Sequence, residues 1–435
     1  MNTSEIFDCV IVGGGPSGST AANDLARQGH KVMLIDRAGR IKPCGGAVPP
    51  RLVEQFEIPA EMLVARIKSA RMVAPSNREV EMPIDGGYVG MVDRDAFDEF
   101  LRDRAALNGA VRATGSFVSL TRDDSGIATV NYQSRSPDGT ADGEMHQVKT
   151  RSVIGADGAN SAVARAAVPE ATKVPYVFAY QEIVRSPKGT ETGFLPTRCD
   201  VFYQEKVSPD FYGWVFPHGD TTSVGVGSAI KGFSLKSATT KLREASGLQG
   251  AETVRREGAP IPMKPAKRWD NGRDVVLAGD AAGVVAPASG EGIYYAMLGG
   301  RFAADAVDDF LATGDVRQLA NARRRFMKLH GRVFYILGLL QHFFYCNDKR
   351  RERFVSMCAD PDVQRLTWES YMNKELVKRD PMAHLRVLAK DIAHLFEMVT
   401  PWRGMSGGRQ VAAVNQTGRQ DGGDNGGRAS DGGRG

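Results

Sequence analysis

The hydrophobic pattern at the start of the chain predicts a buried strand, a glycine-rich turn, a helix and a second buried strand. The first apolar run ends at Val10-Ile11-Val12, and the turn Gly13-Gly14-Gly15-Pro16-Ser17-Gly18 follows it directly. The second run, Val32-Met33-Leu34-Ile35, ends at Asp36. This order is the dinucleotide-binding pattern, in which a strand leads into a phosphate-binding turn and an acid follows the next strand.

Each residue of this pattern has a physical reason. Gly13 permits the tight turn, Gly15 lets the backbone approach a pyrophosphate, and Gly18 lets the helix pack close to its strand. The helix start at Ser17 presents free N–H groups and the positive end of the helix dipole to phosphate. The Asp36 carboxylate can accept hydrogen bonds from a ribose. A glycine-rich loop that only turns a corner is the alternative, and it leaves Asp36 unexplained.

Later apolar patterns predict the remaining elements. Alternating or continuous apolar runs indicate strands, and apolar residues at a spacing of three and four indicate helices. The predicted elements are strands over 116–133, 148–154 and 275–278, a half-exposed antiparallel sheet over 174–230, and helices from 94 onward, over 290–312 and over 320–400.

These elements indicate an α/β chain with a Rossmann-like cofactor domain, an inserted antiparallel-sheet substrate domain and a helical C-terminal region. The strand over 275–278 is expected to return to the sheet begun at residue 6, which makes the cofactor domain discontinuous. With 435 residues the chain is too long for one small core. The expected boundaries are 1–170 with 271–315 for the cofactor domain, 171–270 for the substrate sheet, 316–402 for the helical region and 403–435 for a disordered tail.

Composition excludes several classes of function. The net charge of +5 comes partly from arginines in the tail, and no basic face interleaved with aromatic residues is present, so nucleic-acid binding is not expected. The cysteines are odd in number and have no zinc or iron–sulfur spacing, so we expect a reduced cytoplasmic protein without a metal. The polar start Asn2-Thr3-Ser4-Glu5 leads at once into the first strand, and no signal peptide is expected.

The most apolar late segment, residues 333–345, is too short to span a bilayer and is interrupted by Gln341 and His342. Basic groups flank it at 323–325 and 349–351. One interpretation is a buried helix. The other is a helix that touches a membrane surface or an apolar substrate, so peripheral membrane contact stays open.

Glycine and aspartate turns follow three separate predicted strands, at Gly13–Gly18, Gly155–Gly158 and Gly279–Asp280. The carboxyl ends of parallel strands line one crevice, where ligands bind. In this order the turns resemble those of the FAD-dependent oxidoreductases of the aromatic-hydroxylase type. The resemblance implies that the first turn holds the pyrophosphate of FAD, that Asp157 serves both flavin and nicotinamide, and that the last turn supports the ribityl phosphate region.

The same resemblance implies roles for four further residues. Asp280 would contact FAD, and the helix start at Gly292 and Ile293 would aim N–H groups at the pyrimidine end of the flavin. Arg94 matches the arginine that lies near the pyrophosphate in this family. A structural ion pair is the alternative for Arg94.

Two motifs narrow the resemblance to the geranylgeranyl reductases. They are the loop Pro43-Cys44-Gly45-Gly46-Ala47 and the run Pro209-Asp210-Phe211-Tyr212-Gly213-Trp214-Val215-Phe216-Pro217, which fits a PxxYxWxFP pattern. The later helices, from Arg323 to about Phe396, are similar to those of the bacteriochlorophyll and chlorophyll enzymes. The resemblance implies that Cys44, Gly45, Gly46 and Ala47 lie next to the flavin. It makes Cys44 the candidate catalytic residue, as proton donor or positioning group, with packing on the cofactor as the alternative.

Tyr212, Trp214 and Phe216 alternate along a predicted strand, so they share one face. They could form an aromatic wall for a prenyl chain, or an ordinary sheet face that packs into the core. A prenyl chain is almost wholly apolar, and each buried CH₂ contributes about 0.8 kcal/mol. An apolar tunnel is therefore sufficient to bind it.

The resemblance implies an FAD-dependent reductase that converts a geranylgeranyl group to phytyl. The substrate would be geranylgeranylated bacteriochlorophyll or chlorophyll, or geranylgeranyl diphosphate, and the expected donor is NADPH, with ferredoxin as an alternative. Such a protein would be cytoplasmic or peripheral on the photosynthetic membrane. A flavin monooxygenase of the same fold and a non-catalytic prenyl-binding carrier are the rival functions. The oligomeric state and the number of double bonds reduced are left open.

Overall fold

The computed structural model describes residues 5–37, 41–136, 142–188 and 193–374. The predicted tail over 403–435, and the part of the predicted helical region beyond residue 374, lie outside these ranges.

The strands, in chain order, are β1 (Ile6–Val12), β2 (Val32–Asp36), β3 (Ala47–Val48), β4 (Ala65–Ile67), β5 (Ser69–Val73), β6 (Glu79–Pro83), β7 (Val89–Met91), β8 (Val111–Arg122), β9 (Ala128–Arg135), β10 (Asp142–Gly155), β11 (Tyr176–Arg185), β12 (Arg198–Phe202), β13 (Gly213–His218), β14 (Thr221–Ser228), β15 (Thr253–Pro262) and β16 (Val275–Leu277). The α-helices are α1 (Pro16–Arg27), α2 (Pro50–Gln55), α3 (Arg94–Leu107), α4 (Ala162–Ala167), α5 (Leu235–Ala245), α6 (Ile293–Thr313), α7 (Asn321–Phe344), α8 (Asp348–Met357) and α9 (Pro361–Asn373). Short 3₁₀ helices cover Ala60–Met62, Pro169–Thr172, Gly279–Ala282 and Val316–Ala320.

Within the described ranges, β1, β2, β8, β9, β10 and β16 form a six-stranded sheet. β1 lies parallel between β2 and β10, and β16 pairs parallel with β10. The register sets Val12 opposite both Ile35 and Gly155, and Gly155 opposite Leu277. The prediction that the strand near 275–278 returns to the first sheet is therefore confirmed, and the carboxyl ends of four strands meet at one edge.

A seven-stranded sheet has the order β15-β11-β14-β13-β12-β5-β6, and β3, β7 and β4 form a small third sheet. The larger sheet is antiparallel except where β12 pairs parallel with β5. Its strands β5 and β6 come from an earlier part of the chain than the predicted range 171–270. The predicted domain boundaries stay a prediction.

The expectation of a half-exposed sheet over 174–230 is wrong for β13 and β14, which are almost entirely buried. One face packs under α5, where Val215 and Val224 join Leu242 in an apolar cluster. The other face packs against the later helices, where Trp214 joins Phe344 in a second cluster. Both sides of these strands are covered by elements far away in the sequence, which the local pattern could not show.

Helix α6 packs directly against α1, and a glycine makes this close approach possible. A Cβ atom built on Gly300 would lie 2.1 Å from the carbonyl oxygen of Ser17. Both helices are buried over most of their length. The contact holds α6 behind the glycine-rich turn that precedes α1.

Replacing Gly300 with Ala should lower the thermal unfolding midpoint, because the added methyl group meets rigid backbone. Overpacking of this kind costs about 1–3 kcal/mol. Gly331→Ala is the matched control, since its Cβ would meet only the flexible Met327 side chain, at 3.0 Å. That variant should keep or raise the midpoint, because Ala is about 1 kcal/mol better than Gly inside a helix. Equal midpoints for the two variants would contradict the close α1–α6 contact.

Candidate active site

The turn between β1 and α1 is open at its central glycine. Gly13 has a φ of +106°, and a Cβ on Gly18 would lie only 1.8 Å from the carbonyl oxygen of Gly13. A Cβ on Gly15, in contrast, would meet no described atom within 4 Å. The backbone around Gly15 therefore borders open space.

The start of α1 is electrostatically suited to an anion. Gly15 is the N-cap residue, no side chain caps the helix, and no acidic residue lies in its first turn. The hydroxyl of Ser17 is buried and has no hydrogen-bond partner among the described residues. Unsatisfied N–H groups and a positive dipole end together favour a phosphate group at this position. These observations fit the pyrophosphate of FAD.

Asp36 lies at the end of β2, against the same turn. Its carboxylate accepts a hydrogen bond of 2.6 Å from the N–H of Gly14. Arg102, on α3, donates to the carbonyl of Gly14 at 3.0 Å and lies 3.8 Å from the Asp36 carboxylate. Sequence reasoning missed Arg102, because its place on α3 gives no local signal that it reaches the turn.

The second turn, Gly155–Gly158, lies in contact with the first. A Cβ on Gly13 would lie 2.3 Å from the carbonyl oxygen of Ala156. The Asp157 carboxylate accepts hydrogen bonds from the hydroxyl of Ser161 and from the N–H groups of Ala162 and Val163. Burial raises the pKa of Asp157, and these hydrogen bonds oppose that shift. In this structure the Asp157 carboxylate therefore binds the N–H groups at the start of α4.

The third turn, Gly279–Asp280, completes the edge. Gly279 has a φ of +62°, and its Cβ would lie 2.8 Å from the Cβ of Ser17. Asp280 is buried and forms an ion pair with Lys42, which sequence reasoning did not single out. A Cβ on Gly292 would lie 4.0 Å from Asp280, and Gly292 is the N-cap residue that precedes Ile293. The start of α6 therefore lies beside the third turn.

The Cys44 loop comprises Cys44, Gly45, Gly46 and Ala47. It runs from the cofactor turns to β13, the strand that contains Trp214 and Phe216. The N–H of Gly46 lies 3.4 Å from the Cys44 sulfur, and Gly46 has a φ of +71°. Gln181 of β11 donates to the Cys44 carbonyl at 3.3 Å. Ala47 begins β3 and pairs with Met91.

Arg94 begins α3 beside this loop, and it makes the ion pair that was the alternative interpretation of this residue. Its guanidinium donates two hydrogen bonds to Asp98, at 2.8 and 2.6 Å, and both side chains are buried. Burial lowers the pKa of Arg94, but Asp98 and the adjacent Cys44 outweigh it, so the pKa is raised. Arg94 is therefore a fixed cation next to the Cys44 thiol.

His218, at the end of β13, packs on the same loop. Its ring would lie 2.4 Å from a Cβ on Gly46, and its Nδ1 is 2.9 Å from the carbonyl of Phe216. Burial lowers the pKa of His218. The contact with Gly46 appears only in the folded chain, because the two residues are far apart in the sequence.

The three predicted aromatic residues lie together on one face. The ring centroids of Tyr212 and Trp214 are 6.0 Å apart, and those of Trp214 and Phe216 are 6.3 Å apart. The Tyr212 hydroxyl donates to the carbonyl of Ser289 at 2.6 Å, in the segment that leads into α6. The Phe216 ring would lie 3.1 Å from a Cβ on Gly45. The aromatic face therefore borders both the Cys44 loop and the start of α6.

A buried ion pair lies behind this segment. Glu291 pairs with Lys374, the residue that follows α9, and the ammonium lies 3.6 Å from the ring centroid of Tyr371. Burial raises the pKa of Glu291 and lowers that of Lys374. Sequence reasoning missed this pair, because Glu291 and Lys374 are far apart along the chain. No group of three or more potential metal ligands occurs in the described part of the chain.

Comparison with known proteins agrees with this geometry. A sequence family described as "FAD binding domain" matches residues 7–178. Among solved structures, a geranylgeranyl bacteriochlorophyll reductase-like protein from Thermoplasma acidophilum has a TM-score of 0.75 at 21% identity, covering 91% of this chain and 98% of that one. A flavin-dependent brominase has a TM-score of 0.68 at 16% identity, with coverage of 91% and 100%. These structures confirm the Rossmann-like fold of the aromatic-hydroxylase type.

Proteins found by sequence share more identical residues with this chain than these two structures do. The chain is 56% identical to the geranylgeranyl diphosphate reductase of Rhodobacter capsulatus, in an alignment that covers 91% of this chain and 99% of the relative. It is 38% identical to the geranylgeranyl diphosphate reductase of Synechocystis sp., with coverage of 90% and 98%. At such identity over almost the full length of both proteins, this chain belongs to the geranylgeranyl diphosphate reductase family.

Proposed function

We propose that this protein is an FAD-dependent reductase that saturates double bonds of a geranylgeranyl group to give phytyl. One observation carries the proposal: the loop around Cys44 touches both halves of the site. Lys42 pairs with Asp280 at the cofactor turns, and Gly45 lies under the ring of Phe216 on the aromatic face. A cofactor held at the turns and a chain held on the aromatic face would meet at this loop.

The residues that would hold FAD line the edge of the six-stranded sheet. The N–H groups at the start of α1 and the Ser17 hydroxyl would bind the pyrophosphate, and Asp36 would accept hydrogen bonds from the ribose. When bound and reduced by the electron donor, FAD would supply the hydride for the reduction. The flavin half of FAD would be held by Gly279, by Asp280 and by the start of α6 at Gly292 and Ile293. These residue roles are proposals.

The aromatic face would hold the prenyl chain. Tyr212 and Trp214 pack in the core with Phe344. Phe216 is only partly buried and extends this aromatic face to the Cys44 loop, where the chain would lie. Burial of an apolar chain against such a surface needs no charged anchor along its length. We infer that geranylgeranyl diphosphate and geranylgeranylated bacteriochlorophyll or chlorophyll are the substrates, and that NADPH is the electron donor.

Saturation of a double bond adds one hydride and one proton. We propose that the Cys44 sulfur holds the proton that the chain gains. The Arg94 guanidinium and the N–H of Gly46 both lie beside this sulfur. Arg94 is itself fixed by Asp98. Water from solvent would then return a proton to the sulfur.

Replacing Gly15 with Ala should weaken FAD binding without unfolding the protein. The methyl group would meet no described atom, but it would occupy the space proposed for the pyrophosphate. Loss of a charge-assisted hydrogen bond to phosphate predicts that the Kd for FAD rises about tenfold or more. The measurement is titration of the apoprotein with FAD, followed by flavin fluorescence. Gly250→Ala is the control, because its Cβ is also unobstructed but lies far along the chain from the turns. An unchanged Kd in the Gly15 variant would contradict the proposed phosphate position.

The reaction itself is tested under anaerobic conditions. The FAD-loaded protein, NADPH and geranylgeranyl diphosphate should give products whose mass increases by two hydrogens for each double bond reduced. Geranylgeranyl bacteriochlorophyll in a parallel assay tests the pigment substrate, and reduced ferredoxin in place of NADPH tests the donor. A product that forms only in air and contains an added oxygen atom would contradict the reductase and favour a monooxygenase.

Cys44→Ser should retain FAD and lose turnover. A serine hydroxyl is a far weaker acid than a thiol, and loss of a general acid lowers the rate about 100-fold. Product formation per bound flavin is the quantity to measure. Cys346→Ser serves as the control, because Cys346 is exposed and lies outside the site. Full turnover by the Cys44 variant would assign the thiol to packing instead.

A further inference from the structure

The outward side of α7 combines cations and large apolar side chains. Leu329, Tyr335 and Leu339 are 60%, 68% and 51% exposed. The helix contains no aspartate or glutamate. We define the α7 outer face by its exposed cationic and apolar residues, which are Arg324, Arg325, Lys328, Leu329, Arg332, Tyr335 and Leu339.

These residues recur at helical spacing, so they point to one side of α7. The cations occupy the first half of the face, and the apolar residues continue into the second half. Half-exposed Phe343 extends the apolar part toward α8, where Arg350 lies 4.3 Å from its ring centroid. Arg325 pairs with Asp305 of α6 at 2.6 Å. Within the described ranges, no acidic side chain forms an ion pair with the other three cations, Arg324, Lys328 and Arg332. The face therefore has an excess of positive charge beside a patch of exposed apolar surface.

The opposite side of α7 is an ordinary buried face. Phe326, His330 and Phe334 are buried, and their rings contact Tyr295 of α6. The core therefore accounts for one side of the helix only. Exposed leucine and tyrosine side chains on the other side serve no packing role among the described residues.

The same helix also reaches the candidate active site. The Gln341 side chain accepts a hydrogen bond of 3.1 Å from the N–H of Ala288. A Cβ on Gly338 would lie 3.9 Å from Pro287. Both contacts are to the segment whose Ser289 carbonyl accepts the Tyr212 hydroxyl. One side of α7 thus adjoins the proposed prenyl site, and the other side is exposed.

We propose that the α7 outer face docks this protein on the surface of a membrane that contains anionic lipids. An amphipathic helix with cations beside apolar residues lies in the interface, where apolar side chains enter the acyl boundary and cations meet anionic headgroups. A second copy of the chain is a poor occupant, because two such faces would bring like charges together. No helix in the described ranges has the length and apolarity that a transmembrane span requires.

The proposal rests on the proposed function in one respect, which is that a geranylgeranyl chain partitions into lipid. A docked α7 would hold the neighbouring segment at 287–290 close to the lipid surface. The prenyl chain could then pass from lipid to the aromatic face without crossing water.

Vesicle flotation of the full-length, FAD-loaded protein tests the docking. Vesicles of phosphatidylcholine alone are compared with vesicles that also contain phosphatidylglycerol, without substrate. We expect the protein to float mainly with the anionic vesicles and to be released by high salt, because salt screens headgroup attraction. Equal flotation with both kinds of vesicle, or none with either, would overturn the proposal.

Two sets of variants assign the binding to this face. The triple variant combines Leu329→Ser, Tyr335→Ser and Leu339→Ser. It should lower the vesicle-bound fraction about tenfold or more, since each substitution removes apolar contact with lipid. Lys328→Gln with Arg332→Gln should weaken binding about fivefold for each charge removed. The matched control is Leu107→Ser with Val118→Ser, whose side chains are 88% and 51% exposed on α3 and β8. It should float like the unaltered protein.

Retained flotation of the triple variant would overturn the proposal and assign binding to another part of the chain. A dimer that the triple variant abolishes, without flotation of the unaltered protein, would also overturn it and make a second copy the occupant.

Reduction of detergent-dispersed geranylgeranyl diphosphate is measured separately. The triple variant should retain that activity. A protein that floats but does not reduce the substrate would refute the proposed function and not the docking, and the reverse result would refute the docking alone.

Discussion

The close backbone contact between the glycine turns is the constraint on which the rest of the site depends. Gly13 meets Ala156 of the second turn, and Gly279 and Gly300 meet Ser17 of the first. Side chains at these positions would separate the strand ends. Because the carboxyl ends of β1, β10 and β16 meet closely, the N–H groups of α1, the Asp280 carboxylate and the start of α6 share one edge of the sheet.

The Cys44 loop adds a second constraint, which connects the cofactor edge to the larger sheet. Its glycines allow the backbone to pass directly beneath Phe216 and beside His218. The loop also lies beside the Arg94–Asp98 ion pair, which fixes a positive charge near the thiol. We propose that the backbone itself brings Cys44 to the place where cofactor and prenyl chain would meet, so that a proton donor there needs no long flexible side chain.

Helix α7 relates this site to the surface of the molecule. Its inner side is held by an aromatic cluster against α6, and its later turns contact the segment at 287–290. Its outer side presents cations and apolar residues that no described element covers. This arrangement suits an apolar substrate, because a chain that is poorly soluble in water benefits from a short path between lipid and an aromatic binding face.

Consecutive residues alone determined the glycine turns, the buried strands that precede them, the main helices and the shared face of Tyr212, Trp214 and Phe216. These features follow from local spacing, so they can be read without knowing what lies nearby in space. Only the tertiary structure decided that β13 and β14 are covered on both faces. The pair of Arg94 with Asp98 is local to α3, but only the fold buries it beside Cys44. The fold alone also paired Lys42 with Asp280 and Glu291 with Lys374. The physical reason is that an ion pair depends on distance in space, and any of the many charges in this chain could serve as the partner until folding brings two of them together.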